Sequence, residues 1–361
     1  MKITFVLPHA ALSGGTRVVA IYAERLQKRG HEVTIVSIPK PSLTLKRKVK
    51  ALLKDKKLPP RKKGPSHLDG ITVKHKVLEK YRPITNNDVP DADVVIATWW
   101  ETAEWVNTFN ASKGIKFYFV QGHEIFHNRT VERIKSTYRL PLKKITISNW
   151  LLDIMDKEYG DKEVSLVPNG VDYDFFNTPE RGKQSTLTIG FIYHASPIKG
   201  CDIIIEALKR VRKNIPETKI VAFGINRPSS ELPLPASTRF YYQPKQEKIR
   251  DIYSSCDMWL FGSRSEGFGL PILEAMACRT PVIATPAGAA PEVLNNGGGI
   301  LLDDYSAGGM AQSILTIEAM PESDWQAMSK QAYEVVRKYS WDDATKLFEK
   351  NLLNFMNSAR E

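Results

Sequence analysis

The chain has 361 residues, 42% of them apolar and 25% charged, which suits a soluble protein of two domains rather than a disordered or membrane-spanning one. Three cysteines, Cys201, Cys256 and Cys278, odd in number and far apart, suggest no disulfide framework and no zinc site and fit a reducing cytosol. The net charge of +11 favours polyanionic partners: nucleic acid, an anionic membrane surface or phosphorylated substrates.

Strands alternate with helices from the start. "KITFVL" (2–7) reads as a buried strand, too short for the apolar region of a signal peptide. A Gly14-Gly15 turn is expected before a helix carrying Val18, Val19, Tyr22 and Leu26, closed by Gly30. "HEVTIVSI" (31–38) is the next strand. A basic segment follows at 44–64, with ten lysines and arginines against one acid, Asp55. Leu45, Val49, Leu52 and Leu53 fall at helical spacing beneath those cations, a basic amphipathic pattern. "DVVIAT" (93–98), "KFYFV" (116–120) and "KKITIS" (143–148) continue the strand series.

"VPNGVD" (167–172) reads as a turn between elements, and the domain boundary is placed there. The rhythm then restarts. "TLTIGFIY" (186–193), "KIVAFG" (219–224), "RFYY" (239–242), "DMWLF" (257–261) and "PVIAT" (281–285) are strands, and "GCDIIIEALKRVRKN" (200–214) is a helix. The expected domains are 1–168 and 169–340. A final helix over about 341–361 is expected to pack back on the first, with Ser340 as N-cap and Trp341, Leu347, Phe348, Leu352 and Phe355 as its apolar face. Continuous β-branched runs predict parallel sheets covered on both faces. The fold class is therefore α/β, with two Rossmann-like domains facing across a cleft.

The chemistry gathers in "SEGFGLPILEAMACRTPV" (265–282), mostly small and apolar yet holding Glu266 and Glu274. A strand ending near Phe261 leads into a loop with Gly262, Gly267 and Gly269, and Pro271 suits the first turn of a helix. Such a loop offers free N–H groups and the positive end of a helix, an anion site suited to a diphosphate. A carboxylate beside it can accept hydrogen bonds from vicinal hydroxyls of a ribose or hexose. The plainer reading is a solvated helix end with a dipole-favoured acid. Glu274 lies between Leu273 and Ala275 in a nearly all-apolar helix, which favours function. Gly14-Gly15 is not a GxGxxG pattern, and no acid clearly marks a nicotinamide ribose, so a dinucleotide site is disfavoured.

With "LSGGTRVV" (12–19), "VPNGVD" (167–172), "SPIKG" (196–200), "PAGAAPEVL" (286–294) and "YSW" (339–341) in order, the chain resembles the GT-B-fold retaining glycosyltransferases of family 4, the glycosyl transferases group 1. The resemblance spans nearly the whole chain and implies the site residues. Glu274 matches the glutamate that holds the donor ribose. Glu266 matches the one at the donor sugar's hydroxyls. The backbone of Phe268, Gly269 and Leu270 would line sugar and phosphate, and Lys199 would face the diphosphate. His194 stands where the family usually has a second phosphate clamp, an arginine; a weak or protonated clamp and a core or hinge histidine are both open readings. Arg279 and Ala289-Ala290 replace common glycines. Gly14 and Gly15 resemble the loop that approaches the donor phosphates. His123, in "VQGHEIF" (120–126), is favoured over His127 as the histidine bordering donor sugar and acceptor.

The resemblance implies transfer of a hexose from a nucleoside-diphosphate sugar, a UDP-sugar favoured, to a glycan or lipid-linked acceptor in surface polysaccharide synthesis, with retention of configuration. Glu266, His123 and Lys199 are its catalytic candidates. Asp91/Asp93 and Asp172/Asp174 look like metal-binding pairs but read as turn and cap acids, so no metal and no cofactor are expected. The segment 44–64 is either a docking face for an anionic membrane or a solvated loop. Nucleic acid is disfavoured, because no aromatics interleave with the lysines. The expected location is the cytoplasm, with a peripheral place on the cytoplasmic membrane face. Competing readings are a sugar-nucleotide epimerase on the same fold and a non-catalytic glycan- or membrane-binding protein.

Overall fold

A computed structural model describes residues 1–40, 65–125 and 130–358; the segment 44–64 and His127 lie outside the described residues. The chain divides into two compact units. The first comprises Met1–Ile147, Leu152–Val167 and Thr345–Glu361; the second comprises Ser148–Leu151 and Pro168–Ala344.

Among the described residues, the first unit carries a seven-stranded sheet: β1 (Lys2–His9), β2 (Glu32–Ile38), β3 (Lys74–Val77), β4 (Val94–Ala97), β5 (Ile115–Val120), β6 (Lys143–Thr146) and β7 (Ser165–Leu166). Their order is β3-β2-β1-β4-β5-β6-β7. The second unit carries a six-stranded sheet: β8 (Thr188–Ile192), β9 (Lys219–Gly224), β10 (Arg239–Tyr242), β11 (Met258–Phe261), β12 (Val282–Ala284) and β13 (Gly299–Leu301), ordered β10-β9-β8-β11-β12-β13. All recorded pairings are parallel: Phe5 faces both Ile35 and Ile96, and Gly190 faces both Val221 and Trp259. In each unit the strand order reverses beside its first strand. That leaves a crevice at the carboxyl ends of β1 and β4 in one unit, and of β8 and β11 in the other.

Burial explains which strands form the centre. Val94 to Ala97 and Met258 to Leu260 are at most 1% exposed, because helices cover both faces of a parallel sheet. The sheet edges are short, polar or both: β3 is the charged run KHKV, and β7 has two residues.

Two expected features differ. Gly14 and Gly15 are not a loop; they open the helix Gly14–Lys28, because Ser13 Oγ accepts the Thr16 N–H at 3.3 Å and caps it two residues earlier than expected. In the helix Trp341–Ser358, Leu347 is exposed rather than part of the apolar face. Ser340 Oγ accepts the Asp343 N–H at 2.9 Å and caps this helix. Its later turns belong to the first unit: Phe348 stacks on Tyr22, with ring centroids 4.5 Å apart, and Glu349 binds Arg29 and His31.

Candidate active site

In the second unit, the two loops at the switch point are locked together. After β8 the chain passes His194 and Ser196, makes a 3-10 turn at Pro197–Lys199 and enters the helix Cys201–Asn214. Gly200, between turn and helix, has φ +60°, and a Cβ there would stand 1.7 Å from the carbonyl oxygen of Gly262. Only glycine permits that approach. Across the same seam, the Arg264 N–H donates to Ile198 O at 2.7 Å. The Arg264 guanidinium donates to Pro197 O and, bidentately, to Asp202.

The loop after β11 is tied down by its carbonyls. Ser263 O accepts from Thr285 Oγ1 at 2.6 Å, and Phe268 O accepts from the Ala289 N–H at 2.8 Å. Gly267 O accepts two bonds, from Ser148 Oγ at 2.9 Å and from the Trp150 indole at 2.8 Å. Gly269 then adopts φ +103° and starts the helix Leu270–Ala277, with Pro271 in its first turn and no capping side chain. Pro271 has no N–H and the Ile272 N–H donates to Gly269 O at 2.9 Å, so what this terminus offers an anion is chiefly the positive end of the helix dipole.

Onto this frame come the side chains. Lys199 Nζ donates to Glu266 Oε1 at 2.6 Å, and Ser263 Oγ donates to the same oxygen at 3.0 Å. Glu274, 5% exposed, accepts from Tyr253 Oη at 3.0 Å, so neither carboxylate is buried without a partner. Phe268 is buried, and Leu270 is half-buried at the helix start. His194 is half-buried; its ring Nδ1 accepts the Ser196 backbone N–H at 3.0 Å, and the His194 backbone N–H donates to Cys201 Sγ at 3.2 Å. Burial holds its pKa below the usual imidazole value; Lys199 pushes it further down, and Glu266 opposes. A neutral imidazole whose Nδ1 orders a turn does not reproduce an arginine's fixed charge.

The departure at Arg279 also has a structural account. Its φ is +57°, the left-handed position that usually favours glycine after a helix. The side chain donates to Thr178 O at 2.9 Å, reaches Glu180 and lies 4.1 Å from the centroid of the Tyr333 ring. Ala289 has φ −85°, which asks for no glycine; the left-handed residue there is Gly288.

The other candidates lie in the first unit. Neither Gly14 nor Gly15 has positive φ. A Cβ on Gly14 meets nothing within 4 Å, and one on Gly15 meets Gln121 at 3.6 Å, so the protein's own backbone does not demand glycine at either. His123 is 7% exposed. Its Nε2 bonds Tyr159 Oη at 2.7 Å, and its ring packs against Tyr138 and Tyr159. Burial lowers its pKa against the pull of Glu158. Beside it, Glu124 is buried, accepts the Trp100 N–H at 3.1 Å and has its pKa raised well above the carboxylate range by burial.

Three of the acids that look like metal pairs have other partners. Asp91 pairs with Lys113, Asp93 accepts the Lys2 N–H, and Asp172 caps the helix Tyr173–Phe176. Among the described residues no three His, Cys, Asp or Glu side chains gather as a metal site. Sequence reasoning missed Ser148, Trp150, Tyr253 and Arg264. Of these, Ser148 ends the expected strand "KKITIS" (143–148) and Arg264 directly precedes 265–282, while Trp150 and Tyr253 fall in neither.

The family model for "Glycosyl transferases group 1" matches residues 175–335, and that for "Glycosyltransferase Family 4" matches 12–175. Among curated relatives, a D-inositol 3-phosphate glycosyltransferase of Mycobacterium leprae is 26% identical over 207 residues, covering 51% of this chain and 47% of the relative. One of the same name from Segniliparus rotundus is 24% identical over 201 residues, covering 50% and 44%. The match thus spans about half the length of these relatives. Among solved structures, sucrose-phosphate synthase from Thermosynechococcus elongatus superposes with TM-score 0.74 at 16% identity, covering 99% of this chain and 100% of that one. Anabaena HepE, solved with UDP-glucose, gives 0.74 at 17%, covering 98% and 100%. At these identities the likeness bears on fold, and the fold is the two-domain GT-B architecture.

Proposed function

The chain belongs to the GT-B glycosyl transferases group 1, and from that premise we propose that it moves a hexose from a nucleoside-diphosphate sugar to a hydroxyl of a glycan or lipid-linked acceptor. The observation that carries the reading is the Lys199–Glu266 pair at the switch point, beside the uncapped helix that also bears Glu274. Lys199 and the helix N-terminus would hold the diphosphate as it leaves and gains charge. Glu266 would take the sugar's hydroxyls and Glu274 the ribose. Phe268, Gly269 and Leu270 would offer backbone to sugar and phosphate, with Gly14, Gly15 and His123 as first-unit contributors. His194 would order the turn bearing Lys199 instead of clamping phosphate by charge.

A UDP-sugar is the favoured donor, supported by the UDP-glucose in the Anabaena neighbour. Retention of configuration, independence of metal and cofactor, and a role in surface polysaccharide synthesis complete the proposal. So does a cytoplasmic place with peripheral membrane docking through 44–64. No described helix is long and apolar enough to cross a membrane.

The test is a thermal-shift panel of UDP, GDP, ADP and their sugars, with and without chelator, followed by mass and anomeric analysis of products. Stabilisation by one nucleotide class and a glycosylated product with retained anomer are expected. A protein that binds no nucleoside diphosphate and consumes no sugar donor ends the reading.

A further inference from the structure

The loop between β11 and its helix is the part of the second unit with the most chemistry, and its backbone is anchored partly from outside its own stretch of chain. Two donors converge on one atom: Ser148 Oγ and Trp150 Nε1 both donate to the carbonyl oxygen of Gly267, at 2.9 and 2.8 Å. Between them, the Asn149 N–H and its side-chain amide donate to the Glu292 carboxylate at 2.6 and 2.9 Å. Glu292 belongs to the segment whose Ala289 N–H holds Phe268 O. Residues 148–150 thus grip the loop directly at Gly267 and its neighbouring support at Glu292.

Ser148–Leu151 are an excursion. They lie in the middle of first-unit sequence, yet pack as part of the second unit. They begin the helix Asn149–Tyr159, whose residues from Leu152 onward belong to the first unit. Ser148 is fully buried, so its hydroxyl does not serve solvent. A carbonyl that accepts two bonds has both lone-pair directions occupied, which fixes the Gly267 peptide plane. Gly267 separates Glu266 from Phe268 and Gly269, so that plane sets both the carboxylate's position and the orientation of the N–H groups entering the helix.

We propose that Ser148 and Trp150 are positioning residues for the donor loop. They do not touch the donor. They hold the Gly267 carbonyl so that Glu266 meets the sugar while the next amides meet the phosphates. The proposal rests on the donor role assigned above to Glu266, but its structural half can be read without turnover.

The experiment uses the full chain with Ser148→Ala, Trp150→Phe and the double substitution. Each deletes a hydrogen-bond donor while leaving a side chain able to pack. In hydrogen exchange, amides of 263–270 in the double variant should exchange roughly tenfold faster, while those of β8, β9 and β12 keep wild-type rates. Unchanged exchange of 263–270 overturns the proposal. In steady-state kinetics the double variant should lose about 10- to 100-fold in kcat, with nucleoside-diphosphate affinity within about twofold of wild type. Wild-type kcat in the double variant overturns it. So does a kcat loss matched by equal losses of nucleotide affinity and of protection throughout the second unit, since that would mark a general packing role. A wild-type protein that consumes no sugar donor refutes the proposed function, and with it the proposal's catalytic half; the exchange result then decides whether the anchor itself stands.

Discussion

Lys199 and Glu266, 67 residues apart in the chain, meet Nζ to Oε1 at 2.6 Å, on the loops that follow the two central strands of the second sheet. The Lys199 side chain is 39% exposed and that of Glu266 16%, so the lysine stays accessible from solvent. A diphosphate arriving there would compete with Glu266 for Lys199 and release the carboxylate toward sugar hydroxyls. Lys199→Ala should therefore lower kcat about 100- to 1000-fold at saturating donor. Lys199→Arg should recover part of that loss, because charge is kept while geometry changes. Initial rates decide it, and an alanine variant with wild-type kcat would remove Lys199 from the leaving-group site.

Glu274 should divide the kinetic constants differently. Its carboxylate is buried on the donor helix and accepts from Tyr253 Oη, which fixes its orientation. Assigned to the ribose, it contributes to nucleotide binding more than to the chemical step. Glu274→Ala should weaken nucleoside-diphosphate binding about 10- to 100-fold, the value of hydrogen bonds to a charged acceptor. It should also abolish the preference for ribonucleotides over their 2′- and 3′-deoxy analogues. Calorimetric titration of the analogue pairs is the check. A variant that keeps the wild-type preference would place the ribose elsewhere.

The parts of this molecule that could be read from sequence are those where burial dictates residue type. β9 has the expected bounds and the other central strands differ by a residue or two at their ends, because apolar runs on a doubly covered sheet admit little else; the edge strand β10 also has the expected bounds, on its aromatic run Phe240–Tyr242. β3, β7 and β13 carry little sequence signal because edge strands need be neither apolar nor long: Lys74–Val77 holds two lysines and a histidine, β7 has two residues and β13 three. Glu266 and Glu274 stood out as acids in apolar surroundings. Ser148 and Trp150 could not, because their partner lies 119 and 117 residues away and is a backbone carbonyl, which leaves no trace in composition. The glycine pair at 14 and 15 was misplaced for a smaller reason: a serine cap at Ser13 extends the helix over residues that usually end one.

Arg279 offers a test in which backbone and side chain oppose each other. Holding a non-glycine residue at φ +57° costs roughly 1 kcal/mol. The bonds to Thr178 O and Glu180 and the stacking on Tyr333 offset that cost. Arg279→Ala loses the contacts and keeps the strain, so its melting temperature should fall by several degrees, as about 1–2 kcal/mol implies for a protein of this size. Arg279→Gly loses the same contacts but relieves the strain, and should melt above the alanine variant. Equal melting temperatures for the two would mean that the left-handed backbone is not strained.

Glu124 gives the clearest dependence on pH. Burial raises its folded-state pKa well above the unfolded value of 4.5, so the folded chain favours the neutral acid. The sign follows from proton linkage: Glu124 costs nothing below about pH 4.5, and its contribution to stability is lost as pH rises from there through the folded pKa. Glu124→Gln keeps an oxygen for the Trp100 N–H and removes the titration. The variant should melt above the wild type at about pH 8, and that gap should close as pH falls toward 4.5. Histidines pull the other way in both proteins. His67, lowered to about 4 by burial and by Arg17, takes stability away as pH falls from 6.5. Subtracting wild type from variant at each pH cancels that background. A difference that stays constant across the range would show that Glu124 titrates alike in the folded and unfolded chain.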